Sequence, residues 1–240
     1  MEKPLKPEQV RFYHVRVSFV VDLFKGVTTL AIIYFIARYN AWSNPNAWIY
    51  LGLHGSYGIL WVAKSLVGFR DWRFHVYLPV PSTLITCLAM IFYWGPIWTI
   101  VGQSEEHRAP LWVMALCIGM YACGVFWHFA ADIHKAAFLD GNKTLKSVIG
   151  EEEFKKRKLP NVLQTKLWSI CRNPNYFGEL LIYGSFCLAS WSLGPWIWLG
   201  VMMAINWFPG MFAKEKSLSR FGNEYKDYKS KTWFFIPLVW

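Results

Sequence analysis

Apolar residues along this chain are gathered into long blocks separated by short polar segments. A helix rises 1.5 Å per residue, so about 20 residues cross a hydrocarbon core about 30 Å thick. Six blocks approach or exceed this length: Val17–Ala37, Ala47–Val67, Val76–Val101, Leu111–Ala131, Tyr176–Leu193 and Trp196–Ala213. The pattern predicts an all-α, multi-pass integral membrane protein, a helical bundle with six or seven transmembrane helices.

Lysine and arginine are distributed unevenly between the segments that join these blocks. If the N-terminus is cytoplasmic, segments 1–16, 64–75, 132–175 and 214–240 lie inside and hold 22 of the 25 basic residues. This asymmetry is what the positive-inside rule describes, so both termini are predicted to be cytoplasmic. The net charge of +10 then indicates membrane lipids as partners, with no role in nucleic-acid binding and no protein partner inferred.

Ionisable side chains within the apolar blocks are the first functional candidates, because a charge in the bilayer is costly. Asp22 and Lys25 are three residues apart and can pair on one helix face. His54 and Tyr57 lie in the second block. His54 is either an interhelical histidine or a donor that faces substrate, with Tyr57 one turn away. Glycines at 52, 55 and 58 predict a close helix approach in the same segment.

A polar stripe ends the fourth block. His128, Asp132 and Lys135 are separated by four and three residues, so they share one helix face. The stripe is either a functional cluster or interfacial solvation. No HxxxH or HxxHH pattern is present, which argues against a di-iron membrane enzyme, and no metal site is expected.

The start of the fifth block combines a helix N-terminus with polar side chains. Pro174 suits the first helical turn and Asn173 suits the cap before it. Arg172 beside the positive end of the helix dipole predicts a phosphate site. Asn175 and Glu179, four residues apart, suit ribose hydroxyls or a carboxamide.

The C-terminal tail interleaves tyrosines with basic residues. Tyr225 and Tyr228 are three residues apart among several lysines. Such tyrosines can stack on a base while the lysines pair with phosphates.

Residues 172–179 read Arg-Asn-Pro-Asn-Tyr-Phe-Gly-Glu. This run is similar to the Arg-His-Pro-Asn-Tyr-Phe-Gly-Glu signature of the steroid 5α-reductase and sterol reductase superfamily, with Asn173 replacing the usual histidine. The tail, from Phe221-Gly222 through Tyr228 to Ile236-Pro237, resembles that of the same superfamily. The resemblance covers about the last hundred residues and is weaker in the N-terminal half.

The resemblance implies a membrane oxidoreductase that transfers a hydride from NADPH to a carbon–carbon double bond of a steroid or sterol-like lipid. The cofactor residues would be Asp132, Lys135, Arg172, Asn175, Tyr176, Glu179, Tyr225 and Tyr228. Residues 1–131 would form the substrate chamber, where His54 and Tyr57 would be the catalytic residues. Residues 132–240 would form a cofactor site facing the cytoplasm. The Gln-Glu pair by which 5α-reductases hold a 3-keto group has no counterpart here.

Two other functions stay open. Isoprenylcysteine carboxyl methyltransferases have a similar C-terminal hairpin but use S-adenosylmethionine, which lacks phosphates. The Asn175–Glu179 pair and the upstream Asp132 and Lys135 favour NADPH over that cofactor. A non-enzymatic sterol-binding protein that kept the fold is the third possibility, suggested by Asn173 and the missing Gln-Glu pair.

Overall fold

A computed structural model describes residues 14–68, 76–157 and 159–240, and these are mostly helical. A short antiparallel pair joins β1 (His14–Arg16) to β2 (Tyr77–Pro79), with Val15 opposite Leu78. The first six helices are α1 (Val17–Gly26), α2 (Thr28–Arg38), α3 (Pro45–Tyr50), α4 (Ser56–Leu66), α5 (Val80–Phe92) and α6 (Gly95–Gly102). The others are α7 (Leu111–Ile149), α8 (Glu151–Lys156), α9 (Pro174–Ala189), α10 (Leu193–Met202), α11 (Phe208–Leu218) and α12 (Asn223–Lys231).

Short segments of other helical types connect some of these helices. π-Helical turns at Leu51–Gly55 and Met203–Trp207 join α3 to α4 and α10 to α11. Short 3₁₀ helices occupy Glu105–His107, Lys166–Ser169 and Ser219–Phe221.

Among the described residues, three helical stretches are long and apolar enough to cross a membrane: Val80–Gly102, Leu111–Ile149 and Leu193–Phe221. A fourth is possible if α1 and α2, which bend by 45° at their junction, form one broken span. The helical class and the membrane character are thereby confirmed. The count of six spans and the cytoplasmic termini stay predictions, and segments 1–16 and 64–75 lie partly outside the described residues.

Helix α7 is longer than the apolar block that predicted it. The block ends at Ala131, yet the helix continues to Ile149. Residues after Ala131 include strong helix formers such as Ala136, Ala137 and Leu139, so the helix persists where the surface becomes polar. The basic segment predicted at 132–175 therefore begins as helix.

The chain forms two compact units. Unit 1 comprises the described residues up to Gly119 together with Gly184–Trp198, and unit 2 comprises Met120–Tyr183 and Leu199–Trp240. The sequence predicts a substrate chamber in residues 1–131 and a cofactor site in residues 132–240, and this assignment stays a prediction.

In unit 1, α1 and α4 approach each other at a glycine. A Cβ on Gly58 would lie 2.2 Å from the backbone oxygen of Lys25, so a larger residue does not fit there. A Cβ on Gly55 would lie 3.0 Å from Thr29 Oγ1, whereas one on Gly52 would meet nothing within 4 Å. The close approach predicted from the glycine spacing is confirmed at Gly58 and Gly55 and wrong at Gly52.

In unit 2, α7 and α9 cross at two glycines. A Cβ on Gly178 would lie 2.4 Å from the backbone nitrogen of His128, and one on Gly124 would lie 2.8 Å from the backbone oxygen of Gly178. This backbone-to-backbone packing fixes the polar stripe of α7 against the first turns of α9.

Candidate functional site

Polar residues of unit 2 meet where α7 crosses the start of α9, and we call them the polar cluster: His128, Asp132, Glu179 and Asn175, of which the last contacts His128 through its backbone oxygen. His128 Nε2 lies 3.7 Å from Asp132 Oδ2, and His128 Nδ1 lies 4.0 Å from Glu179 Oε1. His128 Nδ1 also lies 3.2 Å from the backbone oxygen of Asn175. The stripe predicted on α7 and the pair predicted on α9 are thus brought together.

Three members of the polar cluster are buried and the side chain of Glu179 is 16% exposed, so each contact is more consequential than on a surface. His128 is 2% exposed, Asp132 5% and Asn175 7%. Lys135 lies at its edge, where its Nζ is 3.5 Å from Asp132 Oδ1. Asn175 Oδ1 is buried and has no hydrogen-bond partner among the described residues. An acceptor in that state is unusual and can receive a donor from a ligand.

Helix α9 begins at Pro174, as the sequence predicts, with Phe177 N donating to Asn173 O at 3.0 Å. The side chain of Asn173 connects this helix start to the tail. Its Nδ2 donates to Phe234 O at 2.7 Å, and its Oδ1 accepts from Lys214 Nζ. Asn173 therefore connects the start of α9 to the tail and to α11 through its side-chain amide.

The guanidinium of Arg172 donates to protein groups. Its Nε donates to Glu215 Oε1 at 2.8 Å, and its Nη1 donates to Lys229 O at 3.2 Å and Thr232 O at 2.5 Å. Arg172 is 6% exposed, and its backbone N–H also donates to Trp233 O at 2.8 Å. The phosphate contact predicted for Arg172 stays a prediction, while the geometry gives it a direct role in fastening the tail.

Tyr225 and Tyr228 face inward from α12. They are 4% and 2% exposed and pack together with Val162. Tyr228 donates its hydroxyl to Trp168 O at 2.7 Å. Burial raises the pKa of both tyrosines, and for Tyr225 the neighbouring Glu215 adds to the rise. Base stacking on these rings stays a prediction, since both rings are occupied in the packing of the tail.

Tyr176 lies in the first turn of α9 and is 6% exposed. Its ring centroid is 5.8 Å from that of Trp207, a residue of the π-helical turn before α11. The ring therefore packs between elements of unit 2, and the cofactor contact of Tyr176 stays a prediction.

The two predicted catalytic residues lie in unit 1, and both are fully buried. His54 Nδ1 is 2.5 Å from Tyr50 Oη, and the imidazole stacks on Phe186 with centroids 4.3 Å apart. Tyr57 lies under Lys25, whose Nζ is 4.4 Å from the ring centre. His54 and Tyr57 thus belong to one aromatic cluster that also holds a buried cation.

An open depression of about 680 Å³ is present elsewhere in unit 1. Its lining includes Gln103, His107 and Trp191, and none of the predicted site residues. Its residues are mostly exposed, so the buried clusters are the stronger candidates for chemistry.

Sequence reasoning underestimated three residues. The spacing of His128 from Asp132 places it in the stripe of α7, but the resemblance does not include it in the cofactor site. Lys25 was interpreted only through its pairing with Asp22. Glu215, the partner of Arg172, lies 43 positions away along the chain, and no local pattern connects the two.

Residues 83–232 match the model of a family described as "Protein of unknown function (DUF1295)". The match covers more than half of the chain, so the protein belongs to this family. It includes the polar cluster and the tail helix. No curated protein matches the chain.

Proposed function

We propose that the protein is a membrane-embedded oxidoreductase that transfers a hydride from NADPH to a carbon–carbon double bond of a steroid or sterol-like lipid. The observation that carries the proposal is the polar cluster, in which the buried His128, Asp132 and Asn175 lie with the partly buried Glu179 in a chain with membrane-length helices. Burying ionisable groups is costly unless they are paired and hydrogen-bonded, and such groups are concentrated at functional sites.

The donors and acceptors of the cluster fit the uncharged parts of a dinucleotide. Asp132 and Glu179 can accept hydrogen bonds from ribose hydroxyls. The buried Asn175 Oδ1 can accept from a carboxamide N–H. NADPH, when bound, would supply the hydride, and these side chains would orient it.

The phosphates of NADPH have fewer matching side chains near the polar cluster. Because Arg172 donates to Glu215 and two carbonyls, it is not positioned as a phosphate ligand in this arrangement. Lys135 at the edge of the cluster is the nearer candidate, with its side chain 23% exposed. Arg172 holds the tail in this arrangement and its phosphate contact stays a prediction, while Lys135 is our nearer candidate for the phosphate charge.

The commitment of Arg172 to protein groups also favours a second function. S-adenosylmethionine carries no phosphates, and its cationic sulfonium suits a site with two carboxylates. An S-adenosylmethionine-dependent membrane methyltransferase is therefore the alternative proposal.

Thermal stabilisation of the purified protein in detergent separates these functions. A ligand at about 100 times its dissociation constant adds roughly 2.7 kcal/mol to the free energy of unfolding. NADPH is expected to stabilise the protein, while NADH and S-adenosylmethionine are not. Stabilisation by S-adenosylmethionine alone would replace the reductase by the methyltransferase, and stabilisation by none of the three would favour a non-enzymatic lipid-binding protein.

A matched pair of variants locates the site. Glu179→Gln removes a charge from the polar cluster, and Glu152→Gln makes the same change at an exposed position of α8. The NADPH-dependent stabilisation is expected to fall in Glu179→Gln and to be unchanged in Glu152→Gln. An equal response of the two variants would move the cofactor away from the cluster.

A further inference from the structure

Residues 232–240, which we call the tail loop, follow α12 and fold back onto α11 of unit 2. The rings of Phe234 and Phe212 stack with their centroids 5.4 Å apart, and the Trp240 centroid lies 5.8 Å from that of Phe208. Within the tail loop, the centroids of Phe234 and Trp240 are 4.8 Å apart. Aromatic contacts therefore hold the inner side of the tail loop against α11.

These contacts place the tail loop beside the point where α11 changes from apolar to charged. Helix α11 belongs to the stretch Leu193–Phe221, which is long and apolar enough to cross a membrane. Its apolar part ends at Ala213, and three charged residues follow at 214–216. Because charged side chains are costly in hydrocarbon, this change marks the membrane boundary. Phe208 and Phe212 precede it, so the tail loop packs on the apolar side of the boundary.

The outer end of the tail loop exposes apolar side chains, which we call the apolar tip: Leu238, Val239 and Trp240. Leu238 is 81% exposed, Val239 71% and Trp240 48%, whereas Phe234 and Phe235 are buried. Neighbouring large apolar side chains that the chain itself does not cover mark a surface that contacts something else.

The backbone of the apolar tip is also unusual. Val239 N donates to Ile236 O at 3.2 Å, which closes a turn with Pro237 and Leu238 at its centre. Leu238 has a φ of 67°, a left-handed conformation that favours glycine or asparagine in a turn. Since the leucine side chain is exposed, packing within the chain does little to offset this strain. A contact outside the chain would offset it.

Helix α12 carries basic residues on the polar side of the same boundary. Lys226, Lys229 and Lys231 are exposed on this helix, against one exposed acidic residue, Asp227. Lys229 Nζ lies 3.7 Å from Oε2 of Glu215, a residue of the charged run that ends the apolar part of α11. Basic residues beside an apolar surface are attracted to anionic lipid headgroups.

We propose that the apolar tip inserts into the membrane surface, with Leu238 and Val239 among lipid acyl chains and Trp240 at the level of the headgroups. Indole rings favour that level because they are apolar with one polar N–H. The exposed lysines of α12 face anionic headgroups just outside it. The partner of this surface is thus a lipid membrane with anionic headgroups.

Insertion of the apolar tip also fixes the start of α9 relative to the membrane. Thr232 O accepts a hydrogen bond from Arg172, and Phe234 O accepts one from Asn173. Both acceptors belong to the tail loop, and both donors directly precede α9. The polar cluster at the start of α9 is therefore held at a set depth. This anchor does not depend on NADPH binding, so the proposed function and the anchor fail separately.

A fluorescent probe measures the depth of the apolar tip in the full chain. Val239→Cys is labelled with a nitrobenzoxadiazole maleimide after Cys87 and Cys123, the two cysteines that are not buried, are changed to alanine. The protein is reconstituted into nanodiscs of phosphatidylcholine and phosphatidylglycerol. Quenching by lipids with doxyl groups on their acyl chains is compared with quenching by aqueous iodide. The probe is expected to lose fluorescence to doxyl lipid and not to iodide.

Asp227→Cys in the same background is the matched control, since Asp227 is exposed on α12. Its probe is expected to respond to iodide and not to doxyl lipid. Quenching by iodide at position 239 would place the apolar tip in water and overturn the proposal. Protection from both quenchers at position 239 would mean that a protein, such as a second copy of the chain, covers the apolar tip, and this would also overturn it.

Leu238→Gly tests the exposed leucine itself. Glycine adopts a positive φ without strain, so this change favours the turn unless the leucine contacts lipid. If it does, the loss of a buried leucine weakens insertion by roughly tenfold or more. Trypsin cleavage between Lys231 and Thr232 in nanodiscs, followed by mass spectrometry, is expected to accelerate by about that factor.

Asn40→Gly is the control for this change, because Asn40 is another exposed residue with a positive φ. It is expected to leave the cleavage rate unchanged. A cleavage rate in Leu238→Gly equal to or below that of the unmodified chain would overturn the proposal.

Discussion

Each unit buries a basic side chain near its candidate site, but the two are held by different forces. Arg172 of unit 2 donates hydrogen bonds to the Glu215 carboxylate and to backbone carbonyls. Lys25 of unit 1 lies over the rings of Tyr57, Trp61 and Tyr93. Hydrogen bonds to fixed carbonyls commit a donor in direction, whereas ring faces attract a cation with little directional demand. The difference identifies Arg172 as a residue that fastens the tail and Lys25 as a cation packed among aromatic rings.

Replacing Arg172 should therefore affect stability most. Arg172→Ala removes the main partner of Glu215, whose side chain is 14% exposed, and this is expected to lower the free energy of unfolding by about 3–5 kcal/mol. Arg220→Ala, at an exposed position of the same unit, is the control and should cost far less. The measurement is thermal denaturation in detergent. A loss below about 1 kcal/mol in Arg172→Ala would contradict its role in fastening the tail.

The indole of Trp61 is the corresponding test in unit 1. Trp61→Phe removes the N–H that donates to Asp22 and weakens the ring face shared by two lysines. A hydrogen bond to a charged group contributes about 1.5–3 kcal/mol, so a loss of that order is expected by the same measurement. Trp112→Phe, where the indole is 67% exposed, should be close to neutral. Equal effects of the two changes would argue against a charge cluster around Trp61.

Substitution of one tightly packed glycine in each unit tests whether the cofactor site lies in unit 2. Gly58→Ala and Gly178→Ala both place a Cβ against backbone, at 2.2 Å and 2.4 Å, so each is expected to cost about 1–3 kcal/mol. Only Gly178→Ala should also weaken NADPH stabilisation, because it displaces His128 in the polar cluster.

Two alanine substitutions serve as controls for the glycine pair. Gly52→Ala and Gly141→Ala introduce a Cβ that meets nothing within 4 Å, so they should be neutral or slightly stabilising in helices. A loss of NADPH response in Gly58→Ala as large as in Gly178→Ala would remove the distinction between the units.

Tyr228→Phe is expected to have the smallest effect, about 1 kcal/mol, since it deletes one hydrogen bond to Trp168 O. It should also change the pH dependence. Burial raises the pKa of Tyr228 in the folded protein, so the unfolded chain loses its phenolic proton first as pH rises. Wild-type stability should fall above about pH 10, and this fall should be smaller in Tyr228→Phe. An identical alkaline profile would show that Tyr228 does not titrate with unfolding.

The sequence predicted those features that are local. The start of α9 at Pro174 follows from the conformational preference of proline, and the joint face of His128 and Asp132 follows from helical periodicity. The apolar block predicted where α7 can cross a membrane, but it did not predict that the helix continues to Ile149. The contact between Gly178 and His128 could not be predicted, because it joins two segments that are distant in the sequence.

Long-range partners could not be predicted in the same way. Arg172 at the start of a helix has the same local signal whether it binds a phosphate or Glu215, and the carboxylate is 43 residues away. The inward orientation of Tyr225 and Tyr228 depends on Val162 and Trp168, which belong to a segment with no periodic pattern. Tertiary packing buries both tyrosines, and no local pattern among the neighbouring lysines shows it.

The most direct measurement follows the hydride itself. The purified protein is incubated with native lipid extract and NADPH that carries deuterium at the transferred position, and the lipids are examined by mass spectrometry. The account predicts a lipid that has gained one deuterium and one hydrogen, with equimolar oxidation of NADPH, and no such product in Glu179→Gln. A lipid that instead acquires the labelled methyl group of S-adenosylmethionine, with no deuterium transferred, would contradict it.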